Sequence, residues 1–421
     1  MENGHTVKAR ELVVVSMMLL NAQASTDPAE LLEQARDKLV ARLPPVGYAC
    51  VATIDRSYFS RQNPTAGPTS CEKISADRRN RRGKLRLDKT DRLRLEVTLK
   101  SGGETYSWTG PSGFSGNIDE ILQSGPTGTG ELGTQLGIIL GNPLVRFRLL
   151  DQNDKSLEFG FRVPLEASSY FVRAGTQWRE TGYDGSLAID PASLVLKRVT
   201  IQTEELPKES SLCEASTTLD YPPSNEGVLI PRAARIRDLN RDTTETEWDV
   251  TFSECSLRPP QVPGRAPAIR FPSISAVPYK LALVAPIDTS TAAAGDVITA
   301  RLIEPMTPSR ELAPAGAILA GRIMRIEHHL DRQGVVVPGP NGFRGRFFLV
   351  WVDFDTIEVN GVVSSIHPRL ICGETPNLLH PCLAANVDDR KGDRALLFPS
   401  DAANLVIPAG YESRWLNGDG Q

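Results

Sequence analysis

The sequence has no apolar run long enough to cross a membrane. The most prominent apolar stretch, Leu12 to Leu20, has about half the length that a helix needs to cross roughly 30 Å of hydrocarbon. A bacterial lipoprotein anchor is also excluded, because it needs a cysteine directly after such a run and the first cysteine is Cys50. We expect a mature chain without a transmembrane segment.

Neither sign of charge dominates the sequence. The chain has 47 Lys and Arg against 51 Asp and Glu, a formal net charge of -4, which gives no global reason to expect nucleic acid. The strongest basic run lies between Arg78 and Arg86 and lacks the interleaved aromatic residues of single-strand binders. We interpret it as a solvated turn, with anionic lipid or another envelope polyanion as the alternative ligand.

The sequence also lacks a motif that identifies a catalytic reaction. Gly-x-Ser-x-Gly and His-Glu-x-x-His are absent. Residues 128–133 match the dinucleotide-binding string without the preceding strand that this motif needs, so they predict a loop that enters a short helix. Ser70 and Lys73 have the spacing of a serine activated by lysine, but the companion motifs are missing. We expect no enzyme and no cofactor.

Potential metal ligands are few and cluster near the carboxyl terminus. The cluster consists of His367, Cys372, His380 and Cys382, with His328, His329 and Asp331 upstream. Mixed cysteine and histidine sets can bind zinc, but in an exported protein two such cysteines more often form a disulfide. We predict a stapled loop and no metal, with zinc as the alternative.

What the sequence does contain at its start is the pattern of a secretory signal. Lys8 and Arg10 lead into the apolar run, which ends at Ala22-Gln23-Ala24 as a small-residue cleavage site. We expect residues 1–24 to be removed and the mature protein to be periplasmic or extracellular.

Export makes the six cysteines candidates for three disulfides, because an even number in an oxidising compartment indicates a bridged framework. Proximity in the sequence favours three nearest-neighbour pairs. These are Cys50 with Cys71, Cys213 with Cys255, and Cys372 with Cys382.

An amphipathic helix is predicted to follow the signal. Asp27-Pro28-Ala29-Glu30 combines a capping side chain, a proline suited to the first turn and a reciprocal glutamate. One helical stripe contains Leu31, Leu32, Ala35, Leu39 and Leu43. Pro44-Pro45 ends the pattern.

Beyond this helix the apolar residues recur with a period of two. The stretch from Leu93 to Lys100 alternates apolar and polar residues, and the stretches 157–163 and 195–201 repeat this antiparallel pattern. Closely spaced prolines then predict an extended linker over 257–278. We therefore expect an α+β domain at 25–256 and an all-β domain at 279–416.

Three similar turns are predicted in the second domain, at 293–296, 314–317 and 408–411. Each places a small residue and a glycine before an extended segment, where glycine can supply a positive φ. Duplicated barrel geometry is the alternative interpretation.

The first domain resembles the bacterial periplasmic lipoprotein-carrier family (LolA-like), which includes the RseB-type envelope-stress sensors. The amphipathic helix, the long strand 48–56 and the later run 185–191 carry the resemblance. It implies an antiparallel half-barrel whose apolar face is covered by helices and binds acyl chains or a hydrophobic partner segment. The candidate ligand-lining residues are Trp108, Phe114, Ile118, Ile121, Leu122, Leu136 and Ile139.

The second domain resembles the C-terminal β-barrel of TrbI-like conjugation-channel proteins. Residues 295–302 and 314–323 carry this resemblance, which implies a barrel or sandwich.

Together these patterns predict a non-enzymatic exported cell-envelope protein that binds a hydrophobic or lipidated ligand. The alternative is an envelope scaffold that binds other proteins, since sheet edges invite strand addition. A hydrolase ranks third and would need a pocket that gathers His328, His329, Asp353 or His367.

Overall fold

The computed structural model describes most of the chain between residues 27 and 417. The described ranges are 27–61, 70–79, 85–109, 118, 130–174, 177–203, 206–207, 209–224, 226–258, 278–306, 313–330, 345–371, 382–384 and 394–417. The predicted signal peptide and nearly all of the predicted linker lie outside them.

The described helices are α1 (Pro28–Val40), α2 (Cys71–Arg79), α3 (Thr134–Gly141) and the 3₁₀ turn Leu165–Ala167. The predicted amphipathic helix is confirmed as α1. Asp27 caps it by accepting a hydrogen bond from the Ala29 amide at 2.9 Å, and the predicted stripe is buried from Leu31 to Leu39.

The first half of the chain folds into antiparallel strands. They are β1 (Tyr48–Arg61), β2 (Leu85–Lys100), β3 (Gly103–Trp108), β4 (Arg146–Asn153), β5 (Ser156–Val163), β6 (Phe171–Ala174), β7 (Gln177–Glu180), β8 (Tyr183–Ile189), β9 (Leu196–Thr203), β10 (Leu212–Asp220), β11 (Ala233–Asn240) and β12 (Glu245–Leu257). Their spatial order is β4-β5-β8-β9-β10-β11-β12-β1-β2-β3, and β6 and β7 form a separate hairpin.

The second half continues with short and long strands. They are β13 (Tyr279–Leu283), β14 (Ile287–Asp288), β15 (Val297–Leu302), β16 (Ile318–His329), β17 (Phe347–Val359), β18 (Val362–Ser365), β19 (Pro368–Leu370), β20 (Cys382–Ala384), β21 (Arg394–Pro399), β22 (Val406–Ile407) and β23 (Glu412–Asn417). Their order is β19-β23-β13-β15-β16-β17, and β18 and β21 both pair with β17.

Strand β16 belongs to both halves. Its first part pairs with β15, whereas Glu327, His328 and His329 pair with β2. The loop before β15 pairs with the neighbouring stretch of the same β2 edge. There the Arg94 amide donates to the Ala294 carbonyl oxygen, and the Ala294 amide donates to the Arg92 carbonyl oxygen. One hydrogen-bonded sheet therefore runs through both halves.

The predicted fold class, an α+β half-barrel covered by helices plus an all-β barrel or sandwich, is wrong. The described residues are 57% strand and 11% helix, and 19 of their strands form one large open sheet without a closed barrel. The physical reason lies at the outer edge of β2. Strand β3 pairs only with Leu95–Lys100, and the stretch of that edge from Asp88 to Arg94 makes its backbone hydrogen bonds with the second half of the chain.

The three predicted glycine turns are confirmed. Gly295, Gly316 and Gly410 have φ angles of +103°, +92° and +81°, values that L side chains rarely adopt. Gly295 lies in the loop that contacts β2, so this turn also joins the two halves.

The nearest-neighbour disulfide pairing is wrong. Cys50 bonds Cys255, and Cys71 bonds Cys213. Cys50 and Cys255 are 205 positions apart in sequence, yet they lie on β1 and β12, which are hydrogen-bonded neighbours. Cys372 and the side chain of Cys382 lie outside the described residues, so their pairing stays a prediction.

Candidate functional site

One face of the first sheet, which we call the inner face, carries the larger hydrophobic core. Cross-strand partners share a face of a sheet, so the strand register gives a continuous line of buried side chains across eight strands. We call it the apolar row: Phe159, Leu187, Val199, Leu219, Ala234, Val250, Ile54 and Leu93.

Helices α1 and α3 add apolar side chains to the same core. Leu32 and Leu39 of α1 and Leu136 and Ile139 of α3 belong to the cluster that contains the apolar row. The Arg36 guanidinium of α1 donates hydrogen bonds to the Leu140 carbonyl oxygen at the end of α3, at 2.8 and 3.0 Å. A cation is favourable at a helix carboxyl terminus, so this contact clasps the two helices.

The structure places part of the predicted ligand-lining set in this core. Trp108, Leu136 and Ile139 are buried there, and Ile118 packs against it while partly exposed. Phe114, Ile121 and Leu122 lie outside the described residues. Whether any of these residues contacts a ligand stays a prediction.

Farther along the strands, the inner face becomes polar. Two neighbouring rows of cross-strand partners, which we call register lines, run across the inner face. Both rows extend from β10 through β11, β12, β1 and β2 to β16. We call their polar members the polar band: Thr217, Asp238, Thr246, Arg56, Tyr58, Lys89, Asp91, Glu327 and His329. The inner face is therefore amphipathic, apolar in one part and charged in the next.

Arg56 and Asp91 form a buried ion pair within the polar band. Arg56 Nε lies 2.6 Å from Asp91 Oδ1, and Arg56 Nη2 lies 2.7 Å from Asp91 Oδ2. The Tyr58 hydroxyl donates to Asp91 Oδ2 at 3.2 Å, and the guanidinium lies 5.3 Å from the centre of the Trp248 ring. Although burial opposes the charged form, the Asp91 carboxylate raises the pKa of Arg56 above its ordinary value.

Glu327 extends the polar band into the second half. It accepts a hydrogen bond from Lys89 Nζ at 2.9 Å, lies 2.7 Å from His329 Nε2, and has Arg325 at 3.6 Å. Burial alone would raise the pKa of Glu327. The His329 hydrogen bond and the charges of Lys89, His329 and Arg325 instead lower this pKa to about 2. The carboxylate therefore stays ionised at neutral pH.

Residues 130–133 of the predicted loop lead into α3, whereas 128 and 129 lie outside the described residues. The backbone amides of Leu132, Gly133 and Thr134 donate to the Glu104 carboxylate at 2.8 to 3.1 Å. A phosphate would need such amides at a helix start, and here a side chain of the same protein takes them. Burial nevertheless raises the pKa of Glu104.

Asp238 differs from the other acids of the polar band. The residue is 2% exposed, and neither carboxyl oxygen has a hydrogen-bond partner in the described part of the chain. Burial raises the pKa of Asp238 to about 8. A carboxyl group in this state is largely neutral at pH 7.

The residues named for a hydrolase do not converge. His328 and His329 are adjacent on β16 and stack separately on Phe348 and Phe347. Asp353 lies opposite Arg322, in another part of the pairing between β16 and β17. Within the described ranges no three His, Cys, Asp or Glu side chains are grouped to hold a metal. Cys372, His380 and Asp331 lie outside those ranges.

Comparisons with known proteins add little. No protein-family model matches the sequence, and no curated protein matches it. A solved structure of a LolA superfamily protein from Nitrosomonas europaea covers 55% of this chain and 94% of its own, with 9% identity and a TM-score of 0.24. A likeness at this TM-score decides neither fold nor function. In the part of the chain that the structure describes, no helix is long and apolar enough to cross a membrane.

The sequence analysis missed the polar band, although a signal for it exists. On β1 the positions Cys50, Ala52 and Ile54 share the inner face, and Arg56 continues this alternation with a charge. On β11, Asp238 follows Ala234 and Ile236 in the same way. A charged residue at an apolar position of an alternating strand is the pattern that predicts such a site.

Proposed function

We propose that this protein is a non-enzymatic, exported protein of the cell envelope that binds a hydrophobic or lipidated ligand on its inner face. The observation that carries the proposal is the amphipathic character of this face. The apolar row and the polar band lie side by side on the same strands. An amphiphile matches both parts, with its chain on the apolar row and its polar end at the polar band.

Access to the apolar row involves α1 and α3. Both helices contribute side chains to its core, and Arg36 joins them through the Leu140 carbonyl oxygen. Opening the inner face separates the two helices and breaks this clasp. A ligand chain then replaces the helix side chains on the apolar row.

The compartment is part of the proposal. Residues 1–24 have the pattern of an export signal, and the described cysteines are disulfide-bonded, as suits an oxidising compartment.

Native mass spectrometry of the exported full chain, followed by lipid extraction, tests the proposal. We expect a co-purifying species that carries an acyl or alkyl chain. We also expect the purified protein to bind N-phenylnaphthylamine, a fluorescent apolar probe. A wild-type protein that carries no lipid and does not bind this probe would contradict the proposal.

The clasp offers a matched pair of variants. Arg36→Ala removes the charged hydrogen bonds between α1 and α3, so probe binding should be about tenfold faster. Lys38→Ala changes an exposed lysine on the same helix and should leave the binding rate unchanged. Equal binding rates for both variants would show that ligand entry does not depend on the hydrogen bonds between Arg36 and Leu140.

A protein-binding scaffold is the second candidate function, favoured by the edge strand β4. This strand pairs only with β5 in the described chain, and Leu149 and Leu150 are 44% and 47% exposed. However, a bulge between Leu149 and Asp151 interrupts the edge, as in strands that resist pairing with other chains. If β4 recruits an envelope partner, Leu149→Lys should abolish partner capture and leave lipid binding intact.

A further inference from the structure

Asp238 lies on the inner face near the carboxyl-terminal end of β11, after two apolar residues of the same face. Ala234, Ile236 and Asp238 alternate along β11 and share the inner face, and all three are buried. Ala234 belongs to the apolar row and is four residues away, about 13 Å at the rise of a strand. A ligand chain that lies along β11 from the apolar row thus ends at the Asp238 carboxyl group.

The groups around Asp238 are rich in hydrogen-bond acceptors. Its cross-strand partners are Ala215 and Thr246. On the neighbouring register line the Thr217 hydroxyl lies 3.1 Å from the hydroxyl of Tyr170. Burial raises the pKa of Tyr170, and the carboxyl groups of Asp238 and Glu131 add to this rise, so two buried acids lie near one tyrosine.

No cation of the described chain offsets Asp238. Burial is the cause of its raised pKa, without a contribution from a charged neighbour. The nearest guanidinium along the polar band, that of Arg56, is held by both oxygens of Asp91. Buried carboxyl groups normally have partners, so an unpartnered one that faces an apolar row indicates a ligand group.

We propose that Asp238 binds the primary ammonium group of a cationic amphiphile whose chain extends along β11 to the apolar row. This inference rests on the proposed function and specifies the class of its ligand. An ammonium group has three donors and no acceptor, which complements two free carboxyl oxygens and the surrounding hydroxyl oxygens.

The binding step moves one proton. The pKa of Asp238 is about 8, so the carboxyl group is mostly protonated at neutral pH and releases its proton to solvent when the ammonium binds. The nearby tyrosines do not take part, because burial raises the pKa values of Tyr170 and Tyr183 and keeps both hydroxyls neutral. Glu131 is a further buried acid, and the hydroxyl of Tyr106 donates to it.

Isothermal titration of the full exported chain with dodecylammonium and with dodecanol tests the proposal. The two probes share an apolar chain and differ in the head group. Wild-type protein should bind dodecylammonium at least about tenfold more tightly than dodecanol. Asp238→Asn should abolish this preference and leave dodecanol binding unchanged.

Asp249→Asn is the matched control. Asp249 lies on the adjacent strand β12 with a side chain that is 49% exposed and paired with Arg235. This variant should bind both probes as the wild type does.

Titrations in two buffers of different ionisation enthalpy count the released protons. We expect about one proton for dodecylammonium at neutral pH in the wild type and none in Asp238→Asn. Equal binding of dodecylammonium by the wild type and Asp238→Asn would overturn the role of Asp238 and leave the proposed function intact. Failure of both dodecyl probes to bind wild-type protein would instead overturn the proposed function and this inference with it.

Discussion

Asp91 on β2 lies directly opposite Glu327 on β16, and the two carboxylates are paired with different cationic side chains. Asp91 binds Arg56 of β1, whereas Glu327 binds Lys89 of β2 and His329 of its own strand. Two like charges at opposing positions repel each other unless cations separate them. The ion pairs of the polar band therefore also link the two halves of the sheet.

Asp91→Asn should destabilise the protein by about 3 kcal/mol or more, because it leaves the Arg56 guanidinium buried without its anion. Urea unfolding measures this loss. Asp55→Asn is the matched control on the neighbouring strand, since Asp55 pairs with Arg92 and its side chain is 50% exposed. The control should cost less than about 1 kcal/mol. Equal costs for both variants would show that the Arg56 pair is not effectively buried.

Glu327 should make the fold sensitive to acid. Its pKa is lowered from 4.5 to about 2, so the unfolded chain binds a proton before the native one does as the pH falls. The stabilisation is complete above about pH 5 and is lost between about pH 5 and 2, with a total of roughly 3 kcal/mol. Unfolding at several acidic pH values should show this loss in the wild type. In Glu327→Gln this component of the pH dependence should be absent.

The pH dependence of Asp238 has the opposite sign. Its pKa is raised from 3.8 to about 8, so the native state retains a proton that the unfolded state has lost. Stability from this group is highest below about pH 4 and falls by up to about 1.4 kcal/mol per pH unit until about pH 8. The difference in unfolding free energy between Asp238→Asn and the wild type should therefore move in favour of the variant as the pH rises. A constant difference would mean that Asp238 is ionised in the folded protein.

Local elements of this fold could be predicted from the sequence, whereas their partners could not. The capping residues before Leu31 predict α1, and the alternation from Leu93 to Lys100 predicts a strand, because both signals depend on residues close in the chain. The pairing of β2 with β16 depends on an unfilled edge that forms only when β1, β2 and β3 have assembled. The fold class was wrong because no local pattern contains this information.

The same distinction applies to the candidate site. Trp108 and Ile139 could be predicted as core residues from their apolar character. Asp91 and Glu327 could not be predicted as neighbours, since their contact joins positions more than two hundred residues apart. The position of Asp238 on the buried inner face could be recognised only once the strand register was known.

The disulfides provide a covalent test of the sheet order. Mass mapping of the oxidised protein should recover peptides that link Cys50 to Cys255 and Cys71 to Cys213. Replacing both Cys50 and Cys255 by alanine should cost about 2 to 5 kcal/mol, because the bond closes a long loop in the unfolded chain. Recovery of a peptide that links Cys50 to Cys71 would contradict the placement of β1 beside β12.

Replacing Gly295 by alanine should weaken the packing of the loop before β15 on β2. A Cβ atom there would lie 2.3 Å from the Arg94 carbonyl oxygen on β2 and 3.0 Å from the Trp108 ring, with φ at +103°. Gly316 has a φ of +92° and no atom within 4 Å of such a Cβ, so Gly316→Ala carries only the conformational cost, about 1 kcal/mol. Gly295→Ala adds the collision and should cost about 2 kcal/mol more in urea unfolding. If the two variants lose the same stability, the loop of Gly295 does not pack on β2 in solution.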